Sequence, residues 1–275
     1  MCELLAMSSR RSTRLTVSLK ALAAHGGSAG RNRDGWGVAF HDGNDVALFR
    51  EPTPAGDSRL AKFLEAQGPS TTLAIAHIRH ATRGAITLSN TQPFLRELAG
   101  RAHVFAHNGD LPAIDDCDNL AYDRYCPIGT TDSERAFCAL LERVRGLWVS
   151  STSPPPLEAR FAVVSQFAAD LRPLGPANFL YADGATLFAH GHRRIQPATG
   201  AIELPGLFVL SRRCRGKTDP VDARAAPATD ALQEVVLIAS VPLTDEHWRP
   251  LAEGEIVAVS AGRILGAATS VAPVL

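Results

Sequence analysis

Apolar positions recur along this chain in two rhythms, and the order in which the rhythms alternate predicts its elements. Cys2 to Met7 is an apolar run with one charge, of a length that suits a buried strand beginning almost at the first residue. Leu15, Leu19, Leu22 and Ala23 then recur at helical spacing, with Gly26-Gly27 where a helix C-cap belongs. Gly35 to His41, the turn pair Asp42-Gly43, and Asp45 to Phe49 read as a hairpin. A short helix from Ser58 to Gln67 is stopped by Gly68-Pro69, and Thr71–Arg79 and Ala102–His107 predict two more strands.

Thr131-x-x-Glu134 has the form of a capping box, and Ala136, Phe137, Leu140, Leu141 and Val144 keep one apolar face behind it. Ser150–Pro156 is a loop, and Phe161, Val164, Phe167, Ala168 and Leu171 mark a second helix. Past Pro176 the rhythm returns to strands: Phe179–Tyr181, the turn Asp183-Gly184, Thr186–His190, Leu207–Leu210, Val235–Ser240, Ile256–Val259 and Arg263–Leu265. Arg212 to Thr229 has no period and reads as a loop. Strands, two helices and strands again predict an α+β chain of mostly antiparallel sheets between helical layers, folded as a single domain over 1–275.

Charge narrows the function classes. Twenty-eight Lys and Arg balance 28 Asp and Glu, so the basic excess of a nucleic-acid binder is missing and no nucleic-acid partner is expected. No apolar run approaches the roughly 20 residues of a membrane helix, and Glu3, Arg10 and Arg11 stand where a signal peptide would be apolar. Five cysteines without a Cys-x-x-Cys pair suggest neither a disulfide framework nor a zinc site. A cytoplasmic protein without membrane attachment is the expectation.

Four short segments carry candidate chemistry. Removal of Met1 would put a thiol and a free α-amino group on Cys2, nucleophile and base on one residue, although a small buried cysteine early in a strand is also ordinary packing. Ala76 to Gly84 closes an apolar strand with His77, Arg79 and His80; a guanidinium beside a strand suits bidentate capture of a carboxylate or a surface ion pair. His107-Asn108-Gly109 offers a side-chain amide next to a glycine N–H, two neutral donors of the kind an oxyanion hole uses, or a plain turn. Asp132 opens a helix, where it caps or binds an ammonium. His77, His80, His103 and His107 raise a metal reading that the opposed facing of His77 and His80 disfavours, so no metal and no cofactor is expected. Gly26 to Gly30 lacks the ending of a phosphate loop, and Arg212 to Lys217 reads as a solvated basic loop.

Taken in order, Met1-Cys2-Glu3-Leu4-Leu5, Asp34-Gly35-Trp36-Gly37, Ala76-His77-Ile78-Arg79, Asn90-Thr91-x-Pro93-Phe94, His107-Asn108-Gly109 and Thr131-Asp132-Ser133-Glu134 resemble the class II glutamine amidotransferases, and within them the stand-alone YafJ-like proteins. Thr244 to Glu255, with Trp248 and Gly254-Glu255, extends the resemblance toward the end of the chain. It implies the N-terminal-nucleophile hydrolase fold, a four-layer αββα sandwich. By position it implies Cys2 as nucleophile with its amino group as base, Asn108 and Gly109 on the oxyanion, Arg79 on the glutamine carboxylate and Asp132 on its ammonium, with His107, Trp36 and Gly37 in the substrate-binding set.

The implied reaction hydrolyses the γ-amide of glutamine through a γ-glutamyl thioester, releasing glutamate and ammonia, with a separate ammonia-accepting protein as partner. Hydrolysis of another γ-glutamyl amide or peptide is the alternative, and a binding protein that keeps the fold is a third. Two positions depart from the resemblance: His25-Gly26 stands where Arg-Gly is usual, and Gln92 where His is commoner.

Overall fold

A computed structural model of the chain describes residues 1–25, 32–82, 84–148, 153–215 and 232–269. Its strands are β1 (Glu3–Thr13), β2 (Trp36–Asp42), β3 (Asp45–Glu51), β4 (Thr71–Ile78), β5 (Phe94–Leu98), β6 (Arg101–Gly109), β7 (Ala177–Ala182), β8 (Leu187–His190), β9 (Arg194–Ile195), β10 (Ile202–Glu203), β11 (Phe208–Arg215), β12 (Leu232–Ala239), β13 (Arg249–Pro250), β14 (Glu255–Ser260) and β15 (Arg263–Thr269). The helices are α1 (Thr16–His25), α2 (Arg59–Gln67), α3 (Asp132–Val144) and α4 (Leu157–Leu171).

A seven-stranded sheet runs β13-β11-β12-β1-β4-β2-β3 and a six-stranded sheet runs β15-β14-β8-β7-β6-β5, with β9 and β10 as a separate hairpin. The pairings within them are antiparallel. Alternation then assigns each strand two faces. Leu5, Met7, Trp36, Val38, Phe40, Ala74 and Ala76 face outward and pack on Leu19, Leu22, Ala61 and Leu64 of α1 and α2. Their neighbours Leu4, Ala6, Ala39, Leu73 and Ile75 face inward and meet Val104, Ala106, Leu180, Ala189 and Val257 of the second sheet. The far face of that sheet, through Phe105, Phe179, Tyr181 and Phe188, lies under Phe137, Leu140, Val164 and Phe167 of α3 and α4. These three cores separate four layers, the expected αββα sandwich.

Several local expectations shift. The first hairpin turns at Gly43-Asn44, one residue beyond the expected pair, with Gly43 at φ +60. Strand β5 was not anticipated, because Phe94 to Leu98 carries Arg96 and Glu97 and does not alternate. Strand β11 continues through Arg212 to Arg215, which had read as loop, because β12 pairs with its full length. Thr131 accepts from Glu134 N, but the other half of the capping box is absent: Glu134 Oε2 takes Gly129 N, and its Oε1 an ion pair with Arg96. The expectations for Gly26 to Gly30, for 150–152 and for 216–229 lie outside the described residues.

Candidate active site

The N-terminal end of β1, the C-terminal ends of β4 and β6, and the first turn of α3 meet in one narrow cleft. Cys2, Arg79, Asn90, Gln92, His107, Gly109 and Asp132 are among its walls. Register explains the first pair: β1 opposes β4 with Glu3 against Ile78, which continues to Cys2 beside Arg79. His80 N donates to Cys2 Sγ at 3.2 Å, and the thiol hydrogen is directed at His80 O at 3.3 Å. Burial pushes the thiol pKa up, opposed by the His80 N–H, the N-terminal amine and Arg79. Cys2 is therefore a thiol that needs a base.

Arg79 is 3 % exposed, and its guanidinium donates to Asp34 O, Ala85 O and Gly84 O at 3.4, 3.1 and 3.2 Å. Asn90 braces that loop from the other side: its Nδ2 donates to Ala85 O at 3.0 Å and its Oδ1 accepts from Thr130 N at 2.8 Å. The Asp132 carboxylate is held by main-chain donors, Leu111 N at 2.7 Å on Oδ2 and Ser133 N at 2.8 Å on Oδ1. A fixed cation and a fixed anion thus face the same space, the complement of an amino acid's two charged ends.

At the end of β6, His107 is buried between Ser133 Oγ, 2.9 Å from Nδ1, and Pro176 O, 3.3 Å from Nε2. A carbonyl only accepts, so Nε2 carries the hydrogen and Ser133 donates to Nδ1. Gln92 makes two bonds to the same residue's main chain, accepting from His107 N at 2.6 Å and donating to His107 O at 3.2 Å. The departure at position 92 therefore keeps a polar clamp on this strand end. Gly109 lines the cleft because nothing larger fits: a Cβ there would lie 1.7 Å from Pro176 O.

Asn108 sits behind Cys2. Its Nδ2 donates to Cys2 O at 2.6 Å and to Ser240 Oγ at 3.2 Å, and its buried Oδ1 has no hydrogen-bond partner among the described residues. Both amide hydrogens are committed, where the sequence had suggested a donor open to the cleft. Trp36 and Gly37 are not among the cleft walls. Trp36 is buried in the outer core with its Nε1 3.2 Å from Glu51 Oε2, and a Cβ on Gly37 would lie 2.4 Å from Gln92 O. They pack the layer beneath the site. Ser133 and Ser240, which hold His107 and Asn108, carry no local motif and were not anticipated.

Among the described residues no group of three His, Cys, Asp or Glu gathers as a metal site, and no helix is long and apolar enough to cross a membrane. His77 lies between the sheets and His103 on the far face of the second one.

Residues 1–273 match the family described as Glutamine amidotransferases class-II. The Escherichia coli (strain K12) protein named "Putative glutamine amidotransferase YafJ" is 33 % identical over 256 residues, 93 % of this chain and 96 % of its own. A crystal structure titled as a predicted glutamine amidotransferase from Pseudomonas aeruginosa superposes with TM-score 0.65 at 32 % identity, covering 96 % of this chain and 100 % of that one. The glutamine phosphoribosylpyrophosphate amidotransferase of B. subtilis, 16 % identical, shares the fold at TM-score 0.59 over 98 % of this chain and 49 % of that one.

Proposed function

This chain belongs to the class II glutamine amidotransferases, and we propose that it hydrolyses the γ-amide of glutamine with Cys2 as the nucleophile. The observation that carries the proposal is the meeting of Cys2, Arg79, Gly109 and Asp132 in one cleft. Loss of Met1 leaves an α-amine on Cys2, a group that in free peptides titrates near 7.7–8.0 and is suited to take the proton of a thiol that burial keeps protonated. Arg79 takes the α-carboxylate and Asp132 the α-ammonium, which sets the carbonyl carbon of the side-chain amide against Sγ.

Sγ then bonds to the carbonyl carbon of the γ-amide, whose C=O π electrons move onto oxygen, while the amine accepts the thiol proton. The oxyanion is met by Gly109 N–H and by Asn108 Nδ2, which gives up its longer bond, the one to Ser240 Oγ. Collapse breaks the carbon–nitrogen bond as the proton passes to departing ammonia. Water cleaves the γ-glutamyl thioester to glutamate and restores the thiol.

The assigned charged groups address only the amino-acid end of the substrate, so a larger γ-glutamyl amide would use them equally. Purified enzyme with Cys2 at its N-terminus, verified by intact mass, should release glutamate and ammonia from glutamine. Cys2→Ala should lower kcat by several orders of magnitude with its melting transition retained. Undiminished turnover in Cys2→Ala would sink the proposal. A panel of γ-glutamyl amides, with amine and glutamate both measured, separates the two substrate readings: preference for glutamine supports an ammonia-supplying enzyme, and preference for a substituted amide the other.

A further inference from the structure

A second arginine lies against the first residues of the chain. Arg194 of β9 is 3 % exposed, its Nη1 donates to Ser240 O, and its Nε is buried without a hydrogen-bond partner among the described residues. While Met1 is still present, the adjoining Ile195 N donates to its Sδ at 2.9 Å, which places the β9–β10 hairpin beside the start of the chain. Ser240 is the hub beneath it. Ser240 N donates to Leu4 O at 3.0 Å, Leu4 N donates to Ser240 Oγ at 3.0 Å, and the same hydroxyl accepts from Asn108 Nδ2, the group bonded to Cys2 O.

Residue 2 is thus reached twice through position 240, once along β1 through Leu4 and once across the sandwich through Asn108. A buried guanidinium with an unfilled donor is costly, and an arginine kept only for packing has no reason to bear that cost. We propose that Arg194 and Ser240 are positioning residues that fix the main chain of Cys2, and with it the attacking thiol and its amine base, through Leu4 along β1 and, until Asn108 turns its amide to the oxyanion, through a network running Arg194–Ser240–Asn108–Cys2. This deepens the proposed function and rests on Cys2 being the nucleophile.

The placement also has an electrostatic consequence. Glu3 and the Cys2 thiol are the acidic groups whose fields reach Arg194, while the Met1 amine before β1, Arg79 just past β4 and Asp132 of α3 act on that thiol. A cation at Arg194 disfavours a second positive charge on the Cys2 amine, which holds that base unprotonated to lower pH.

The test is steady-state glutaminase kinetics on Arg194→Met, Arg194→Lys and Ser240→Ala. Arg194→Met should lower kcat by roughly tenfold to a hundredfold with KM for glutamine unchanged, since Arg79 and Asp132 are untouched. Its acid limb of kcat/KM should move to higher pH and return toward wild type in Arg194→Lys, a response that loss of packing does not produce. Ser240→Ala should lower kcat in the same way, without the pH shift. A wild-type kcat and pH profile in Arg194→Met overturns the proposal, as does a rise in KM alone, which would make Arg194 a substrate ligand. Alkylation by a glutamine-like electrophile keeps the two ideas apart. Labelling of Cys2 at the wild-type rate in Arg194→Met overturns the network and leaves the nucleophile standing, whereas labelling of wild type elsewhere than at Cys2 overturns both.

Discussion

A charged side chain selects a ligand only as sharply as it is held, and here the two charged walls are held by main chain. Three carbonyls fix the Arg79 guanidinium and two N–H groups fix the Asp132 carboxylate. Arg79→Lys keeps the charge but loses the planar fork and the grip of those carbonyls. It should raise KM for glutamine at least tenfold, and Asp132→Asn should do so in parallel; steady-state kinetics on both variants, with melting curves as the control, checks this. Unchanged KM in both would remove the charge-pairing account of the cleft. Gln92 tests the same idea in an uncharged group. Gln92→Leu strands a buried N–H and a buried C=O on His107, at about 1–3 kcal/mol for each orphan, so its melting transition should fall by several degrees.

Elements differ from residues in how openly the sequence announces them. The strands β1, β4 and β6 and the helices α2, α3 and α4 were legible because their periodicity, caps and stops lie within a few residues of one another. Ser58 caps α2 by accepting from Ala61 N at 2.9 Å, and Thr131 caps α3 by accepting from Glu134 N at 3.3 Å. Strand β5 and the far half of β11 were not legible, since each owes its form to a partner strand, β6 and β12, rather than to its own pattern. The site divides along the same line. Cys2, Arg79, Gly109 and Asp132 stand in recognisable local motifs, whereas Ser240 and Arg194 join the N-terminus only through contacts between strands far apart in sequence. Trp36 and Gly37 belong to a motif yet pack beneath the cleft, one filling the outer core and the other admitting the Gln92 carbonyl. Gly109→Ala probes an element end directly. Its methyl group cannot coexist with Pro176 O, so β6 must part from the chain entering β7, and glutaminase activity should vanish with a lowered melting temperature.

At the scale of the whole molecule, stacking two sheets between helices seals several histidines away from water, and this makes the sandwich sensitive to acid. His41 and His77 lie on inward faces of the first sheet with both ring nitrogens unpartnered among the described residues, and burial drives their pKa values down to about 4 and about 3. On the other side, His103 and His190 are lowered to about 3 by the same cause. In the unfolded chain each titrates near 6.5, so between that pH and roughly 3–4 the unfolded state binds protons that the folded state refuses. Stability is then complete above about pH 6.5 and declines as the pH falls, by up to about 1.4 kcal/mol per pH unit for each such histidine. His77→Leu and His41→Leu remove a titrating group and its orphaned nitrogens while keeping an apolar side chain, so neither should lower stability at pH 7. Each should flatten the decline measured by urea unfolding between pH 7 and pH 5. Parallel declines in wild type and both variants would show that these buried rings are not what the fold protects from protons.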